Sequence, residues 1–250
     1  MEVEDLEIIK LEPKHIDQVF EYFIQEFSPD EPLFQSFQFF EGDGYFDRQV
    51  AKDIKKLIME EPILAGDSFG AFDKEGNLLG IRLGKIAVKG NLPREPKFGW
   101  ILNIPEFLVP KKLLLAAYAS KFFEYMEYSA EQNFVDCQDN NGRIYTGMSL
   151  GVARRGRGKG LGDKLLKKSL EYAREQNCSH SAILATGIYS QRIIRNNGFQ
   201  LVKEKPYDGF KDKHGNQVIK HEVHKSCQLL VLKLWQFWNK TKLNHGCVTS

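Results

Sequence analysis

The chain has 250 residues, of which 42% are hydrophobic and 12% are aromatic. This composition suits one large domain or two small ones and excludes a disordered protein. The 35 lysine and arginine residues nearly balance the 33 acidic residues, which leaves a formal net charge of +2. No global field therefore attracts nucleic acid or an acidic membrane surface, and any anion site must be local.

The cysteines and the N-terminus indicate the cellular location. The four cysteines are widely spaced and form no C-x-x-C pair, which is typical of free thiols in a reducing compartment. Residues 1–5 are acidic where a signal peptide would be basic, and no apolar run reaches the roughly 18 to 20 residues of a membrane span. We therefore expect a cytoplasmic protein without membrane or nucleic-acid partners; its oligomeric state stays open.

Hydrophobic periodicity predicts alternating strands and helices in a single α+β domain. After a strand at 6–11, a helix is expected over 13–27 and a loop at 28–32, because two prolines within four positions cannot continue a helix. The later predicted elements are a helix at 45–60, a hairpin of strands at 63–72 and 78–88, a helix at 111–133, a strand at 144–152, a helix at 161–176, a strand at 181–186, a helix at 189–196 and strands at 199–205 and 227–234. The domain is expected to span 1–250, with a core at about 5–234 and a C-terminal tail at 235–250.

A glycine-rich segment at 150–162, LGVARRGRGKGLG, joins a predicted strand to a predicted helix. Exposed backbone N–H groups in such a turn, together with the positive end of the helix dipole, can bind a pyrophosphate, and Arg157 and Lys159 add charge. The spacing fits neither the G-x-G-x-x-G dinucleotide fingerprint nor a P-loop. A solvated basic turn or an RNA contact is the alternative, which the strand-to-helix setting disfavours.

Residues 150–173 resemble motif A of the Gcn5-related N-acetyltransferases (GNAT), whose R-x-x-G-x-G/A signature binds the pyrophosphate of acetyl-CoA. The signature fits at 155–160 and at 157–162, and we prefer the second register because it starts the helix at Leu161. The segment Ile194-Arg195-Asn196-Asn197-Gly198-Phe199 resembles a later helix of the family that ends in Gly-Phe. The resemblance implies a mixed, mostly antiparallel sheet flanked by helices, with the acetyl-CoA loop between a central strand and the following helix.

The chain is more closely similar to the insect arylalkylamine N-acetyltransferases. That branch has an Asp-Glu-Pro-Leu stretch, found here at 30–33, and a Tyr-Ser-x-Arg segment, found here at 189–192. The resemblance implies direct acetyl transfer, in a ternary complex, to a small arylalkylamine of the dopamine, serotonin, tryptamine, octopamine or histamine type. It also implies acetyl-CoA contacts at Leu150, Val152, Arg157, Gly158, Lys159, Gly160, Leu161, Gly162, Asp163 and Tyr189, and substrate contacts at Asp30, Phe34, Tyr45 and Phe46.

The same resemblance assigns catalytic roles. Glu31 is expected to take the proton of the amine; the alternative is a solvated loop carboxylate. The usual tyrosine acid, four residues before Gly-Phe, is replaced by Ile194, and the two serines of the insect branch correspond to Thr186 and Ser190. Ser190 is expected to matter more than Thr186, although it is equally suited to cap the short helix. Leu150 and Val152 could likewise be ordinary core residues.

Several alternatives stay open at this point. His221-Glu222-Val223-His224 with Cys227 is not a zinc motif, so no metal site is expected and a solvated strand edge is favoured. The rival enzymes are a polyamine or a protein N-terminal acetyltransferase of the same fold, because acids accompany the aromatic residues between 26 and 47. A module that binds acyl-CoA or RNA without catalysis is the alternative of another class.

Overall fold

The computed structural model describes residues 6–36, 40–41, 45–46, 59–88, 99–105, 108–109, 111–126 and 142–234. The strands in this part are β1 (Glu7–Lys10), β2 (Phe40–Glu41), β3 (Tyr45–Phe46), β4 (Phe69–Phe72), β5 (Leu78–Val88), β6 (Arg143–Val152), β7 (His180–Ala185), β8 (Gln200–Pro206) and β9 (Ser226–Lys233). The α-helices are α1 (Ile16–Tyr22), α2 (Pro32–Ser36), α3 (Glu61–Leu64), α4 (Lys111–Tyr125), α5 (Leu161–Glu175) and α6 (Ile188–Asn196).

A seven-stranded open sheet organises the described residues, in the order β1-β4-β5-β6-β7-β9-β8. Every neighbouring pair is antiparallel except β6 and β7, which are parallel and connected through α5. The short strands β2 and β3 pair separately. The predicted α+β fold with a mixed, mostly antiparallel sheet flanked by helices is confirmed.

The parallel pair stops short of the ends of its strands. Its register runs from Ile144 opposite His180 to Gly147 opposite Ile183. On the other side, β6 stays paired with β5 as far as Val152. The last part of β6 therefore has backbone groups on the β7 side that no strand satisfies.

Helices cover both faces of the sheet. Alternation along β5 sends Ile81 and Leu83 to the face where α1 and α4 pack. It sends Gly80 to the opposite face, where an added Cβ would lie 2.9 Å from Leu165 of α5. The amphipathic α5 buries Leu161, Leu165, Leu166, Leu170 and Ala173 against that face.

The N-terminal helical region differs from the prediction. Instead of one helix over 13–27, a 3₁₀ turn at Pro13–His15 precedes α1, and a π-helical segment at Phe23–Phe27 follows it. The loop predicted at 28–32 is also wrong, since a 3₁₀ turn covers Ser28–Asp30 and the short helix α2 begins at Pro32. Proline is compatible with the first turn of a helix, where its missing N–H has no partner to lose.

Other boundaries also shift. Ile63 and Leu64, predicted as strand, belong to α3, and the strand begins only at Phe69. Tyr45 and Phe46, predicted as the start of a helix, form β3 instead. The remainder of that helix at 47–58, the predicted helical residues 127–133 and the tail at 235–250 lie outside the described residues. None of the described helices has the length and hydropathy needed to cross a membrane.

Close packing between β5 and β6 predicts that Gly84→Ala destabilises the protein. The added Cβ would lie 2.4 Å from the Tyr145 hydroxyl, which is fully buried and donates to the Asp67 carbonyl at 2.9 Å. Because Tyr145 cannot easily move, we expect a loss of about 2 kcal/mol, measured by guanidinium chloride unfolding. Gly76→Ala is the control: its Cβ meets no atom within 4 Å at a φ of +79°, so only a backbone cost of about 1 kcal/mol is expected. An equal or smaller loss for Gly84→Ala would contradict this packing argument.

Candidate active site

The glycine-rich loop leads directly into the N-terminus of α5. Gly158 and Gly160 have φ angles of +76° and +72°, a left-handed conformation that favours glycine. Gly160 is the N-cap of α5, and the first backbone bond of the helix runs from the Lys164 N–H to the Gly160 carbonyl at 3.1 Å. The N–H groups of residues 161–163 therefore lack partners within the helix, at its positive end. This geometry agrees with the register of the signature at 157–162.

Two acidic side chains hold the loop against the N-terminal helical region. The Arg154 N–H donates to the Glu26 carboxylate at 2.9 Å. The Arg157 guanidinium donates to the Val152 carbonyl at 3.0 Å and to the Asp30 carboxylate. Asp30, a predicted substrate contact, is thus bound to the arginine that is predicted to contact acetyl-CoA.

Asp163, a predicted cofactor contact, also has side-chain partners within the protein. Its carboxylate accepts from the Asn197 amide at 2.7 Å and pairs with Lys167 at 2.7 Å. The bonds from Lys167 and Asn197 lower the pKa of Asp163. The backbone N–H of Asp163 is the group that this helix end leaves for an anion.

The end of β6 offers backbone donors beside the loop. The Ala153 N–H donates to the Leu79 carbonyl at 2.8 Å on the β5 side. Because successive strand residues direct their backbone groups to opposite edges, the N–H groups of Leu150 and Val152 face the edge that β7 leaves. The side chains of both residues pack against the hydrophobic cluster beneath α5. The side chains of Leu150 and Val152 are thus core residues, whereas their backbone N–H groups lie at the strand edge where an acetyl-CoA contact is predicted.

Glu31 is a buried carboxylate at the start of α2. It is 7% exposed, which excludes the solvated-loop alternative. Its carboxylate accepts from the Phe34 N–H at 2.8 Å and from the Thr186 hydroxyl. Burial, only partly offset by these hydrogen bonds, raises the pKa of Glu31 to about 7. A group with this pKa is suited to exchange a proton at neutral pH.

Two further polar groups face Glu31 from the other end of the chain. The Tyr207 hydroxyl donates to the Thr186 carbonyl at 2.6 Å, and the Cys227 thiol is fully buried on β9. Burial and the nearby charge of Glu31 raise the pKa of Cys227 well above its usual value. The thiol therefore stays protonated at neutral pH, which makes it a poor nucleophile.

The N-terminus of α6 corrects one prediction about Ser190. The N-cap is Gly187, and the Ser190 hydroxyl donates to the Gly187 carbonyl at 2.8 Å, so Ser190 is not the N-cap. A cap would have to accept from a backbone N–H. Tyr189, a predicted cofactor contact, is 67% exposed on the same turn.

The solvated strand edge expected for His224 is wrong, because His224 is buried and lies outside the strands, beside the N-terminus of α6. Its Nδ1 accepts the Ile188 N–H at 3.2 Å, and its ring lies 5.8 Å from that of Tyr189 and 4.2 Å from that of His221. Burial, and then His221, lowers the pKa of His224, so the neutral ring is favoured. Among the described residues, no group of three or more His, Cys, Asp and Glu side chains could hold a metal.

The structure describes the side chains of only some of the predicted substrate residues. Phe34 packs edge-on against Phe23, with ring centroids 5.3 Å apart, and Phe27 stacks on Phe23 at 4.8 Å. These rings belong to the cluster on the α1 face. The side chains of Tyr45 and Phe46 lie outside the described part of the chain.

Comparisons with known proteins agree with this geometry. The model of the acetyltransferase (GNAT) family matches residues 96–199. The chain is therefore similar to the GNAT family over this segment. The segment matched by the GNAT model includes β6, the glycine-rich loop, α5, β7 and α6, whereas Glu31 lies before it.

Solved structures support the same GNAT fold. A crystal structure of arylalkylamine N-acetyltransferase 2 from Aedes aegypti is 23% identical, with a TM-score of 0.74 and coverage of 92% of this chain and 99% of that chain. A Drosophila melanogaster polyamine N-acetyltransferase that forms N-acetylagmatine is 18% identical, with a TM-score of 0.67 and coverage of 92% and 100%. The C-terminal condensation domain of Ebony, in complex with β-alanyl-dopamine, is 16% identical, with a TM-score of 0.65 and coverage of 91% and 98%.

The loop geometry predicts that Gly160→Asp abolishes tight binding of acetyl-CoA. The new carboxylate would stand at the N-terminus of α5 and repel the pyrophosphate, so we expect the Kd, measured by isothermal titration calorimetry, to rise at least about tenfold. Gly160→Asn is the matched control, because it places the same strain on the φ of +72° without a charge. Equal affinities of two folded variants would contradict an anion site at this position.

Proposed function

We propose that this protein is an acetyl-CoA-dependent N-acetyltransferase that acetylates the primary amine of a small arylalkylamine. The observation that carries the proposal is Glu31, a buried carboxylate with a raised pKa of about 7. It belongs to a chain with a pyrophosphate-type loop and a strand edge of unpaired amides. A non-catalytic acyl-CoA-binding module would have no use for such a base.

The proposed reaction needs a neutral amine. A free alkylamine has a pKa of about 10.4 and is protonated at neutral pH. The ionised carboxylate of Glu31 accepts one proton from the ammonium group, directly or through water, and the nitrogen lone pair then attacks the thioester carbonyl. A carbon–nitrogen bond forms as the carbon–sulfur bond breaks, and the second proton that the nitrogen loses is balanced by the proton that the departing coenzyme thiolate takes up.

The chain supplies the remaining parts of this proposal from its own residues. The N–H groups of residues 161–163 and the basic loop residues would hold the pyrophosphate of acetyl-CoA. The N–H of Leu150 or Val152 would stabilise the negative charge that develops on the acetyl oxygen. Thr186 and Ser190 are the hydroxyl groups proposed to serve the leaving thiolate, and the contact between Thr186 and Glu31 gives Thr186 a larger role than the sequence argument assigned to it.

Aromatic amines fit the described side of the site better than polyamines. Phe34, whose N–H donates to Glu31, packs on Phe23 together with Phe27, and these rings provide aromatic surface on this side of the site. Two of the acids that a polyamine would need are engaged elsewhere, because Glu26 and Asp30 bind the backbone and side chains of Arg154 and Arg157. The side chains of Glu41, Asp43 and Asp47 lie outside the described part of the chain. The polyamine alternative is retained because a polyamine N-acetyltransferase shares the fold.

Other parts of the proposal follow from the sequence. We propose a single domain over 1–250 in the cytoplasm, with a small-molecule amine as partner. Nucleic acid is disfavoured, because two arginines of the basic loop are paired with carboxylates.

Glu31→Gln tests the base. Glutamine keeps the shape of the side chain but cannot accept the proton, so we expect kcat/KM near neutral pH to fall about a hundredfold. In the wild type, protonation of Glu31 removes the base, so kcat/KM should fall as the pH drops below about 7 and level off above it; the variant should lose this acid limb. The exposed Glu61, paired with Lys85, supplies the control Glu61→Gln, which should keep wild-type kinetics. A Glu31→Gln enzyme within twofold of wild type from pH 6 to 9 would exclude Glu31 as the base.

A panel of amines tests the substrate class. We expect kcat/KM for tryptamine and dopamine to exceed that for spermidine, putrescine and agmatine by at least about tenfold, because the aromatic surface rewards burial of a ring. Release of free thiol from acetyl-CoA provides the readout. A preference for agmatine or spermidine would replace the arylalkylamine assignment and keep the acetyltransferase; no thiol release with any amine would remove the enzyme proposal altogether.

A further inference from the structure

One glutamine side chain joins two strand ends behind Glu31. Gln191 lies on α6 and is 7% exposed. Its amide nitrogen donates to the Ala185 carbonyl at 3.1 Å and to the Ser226 carbonyl at 2.8 Å. Ala185 is the last residue of β7 and Ser226 is the first residue of β9. A single amide group thus bridges the two strands at one end of their ladder.

This bridge stands where the backbone pairing of the strands stops. The last pair of the β7–β9 ladder is Ala185 with Gln228, so Thr186 and Cys227 lie just beyond it. Both donors of the Gln191 amide are used on these carbonyls. Loss of the amide would leave two carbonyls at the ends of β7 and β9 without this donor.

The residues just beyond the bridge are those that face Glu31. The Thr186 hydroxyl donates to the Glu31 carboxylate, and the Thr186 carbonyl accepts from Tyr207 at 2.6 Å. Cys227 follows Ser226 and is close enough to Glu31 for their charges to interact. The side chain of Gln191 itself does not need to touch a substrate to influence the base.

We propose that Gln191 is a positioning residue for acetyl transfer, which fixes the Thr186 hydroxyl against Glu31 by holding the ends of β7 and β9 together. The kinetic consequence rests on the proposed function. The structural consequence, a changed environment of the Glu31 carboxylate, does not.

The sign of the effect follows from the hydrogen bond. The Thr186 hydroxyl stabilises the ionised carboxylate and lowers the pKa of Glu31, against the larger opposite effect of burial. A displaced Thr186 therefore raises that pKa above about 7. Tyr207 and Cys227, which also face Glu31, have pKa values raised by burial, so both stay neutral between pH 6 and 8. The neighbouring Asp30 carboxylate is bound to arginines.

The experiment compares Gln191→Met with the wild type. Methionine keeps the length of the side chain and removes both donors. We expect the acid limb of kcat/KM to move to higher pH, with activity at pH 7 reduced roughly fivefold, which corresponds to about 1 kcal/mol, the net contribution of a typical hydrogen bond. The Kd of acetyl-CoA should stay within twofold. NMR titration of ¹³C-labelled glutamate carboxyls, with the Glu31 signal identified by its loss in Glu31→Gln, should show the same upward shift without any substrate.

Four further variants make the test specific. Gln217→Met removes a comparable bond, from the Gln217 amide to the Ile219 carbonyl at 2.7 Å, and should leave the pH profile unchanged. Thr186→Val should reproduce the shift, and the double variant should shift no further than Thr186→Val alone, because both changes act through one hydroxyl. Gln191→Asn, which retains a shorter amide, should show a smaller shift in the same direction and serves if Gln191→Met does not fold.

The outcomes separate the two proposals. An unchanged Glu31 titration in folded Gln191→Met or Gln191→Asn would overturn the positioning role, even if the enzyme acetylates amines. Additive shifts in the double variant would also overturn it. A wild type that acetylates no amine would remove the proposed function, while the NMR titration would still decide the role of Gln191.

Discussion

The candidate site depends on the point where β6 and β7 stop pairing, at Gly147 opposite Ile183. A parallel pair that continued to the strand ends would satisfy the backbone of Leu150 and Val152 and leave no edge for a ligand. The crossover helix α5 begins beside this edge because β6 feeds directly into the glycine-rich loop. The helix end and the free strand edge thus come from one interruption of the sheet.

Adjacent carboxylates at 30 and 31 show how a single turn can give two acids different tasks. Asp30 is bound to the arginines of the loop, whereas Glu31 is buried beneath α2 and has a raised pKa of about 7. The chain becomes extended at Glu31, with φ −89° and ψ 121°, and this change of backbone direction turns the two side chains to different surroundings. The surroundings of each carboxylate, rather than its residue type, make Asp30 an ion-pair partner and Glu31 the proposed base.

The sequence was sufficient for features that depend on local pattern. Alternating apolar residues located β5, β6 and β9, and the glycines at 158 and 160 located the turn that needs a left-handed backbone. It was insufficient for features made by residues far apart in the chain. The burial of Glu31 depends on Thr186, Tyr207 and Cys227, and the role of His224 depends on the N–H of Ile188. The spacing of residues along the chain does not encode such contacts. The sequence does not predict the short helix α2, because the two prolines at 29 and 32 indicate only a helix break.

The surroundings of Glu31 also bear on how the acyl group would move. An acyl-enzyme route needs a thiolate, yet burial, and then the charge of Glu31, raise the pKa of the neighbouring Cys227. The charge that makes Glu31 able to take a proton from an amine therefore adds to the effect of burial in keeping the Cys227 thiol protonated. In a buried site with little solvent screening, the two chemistries exclude each other. Direct attack by the amine is the route that this electrostatic arrangement favours.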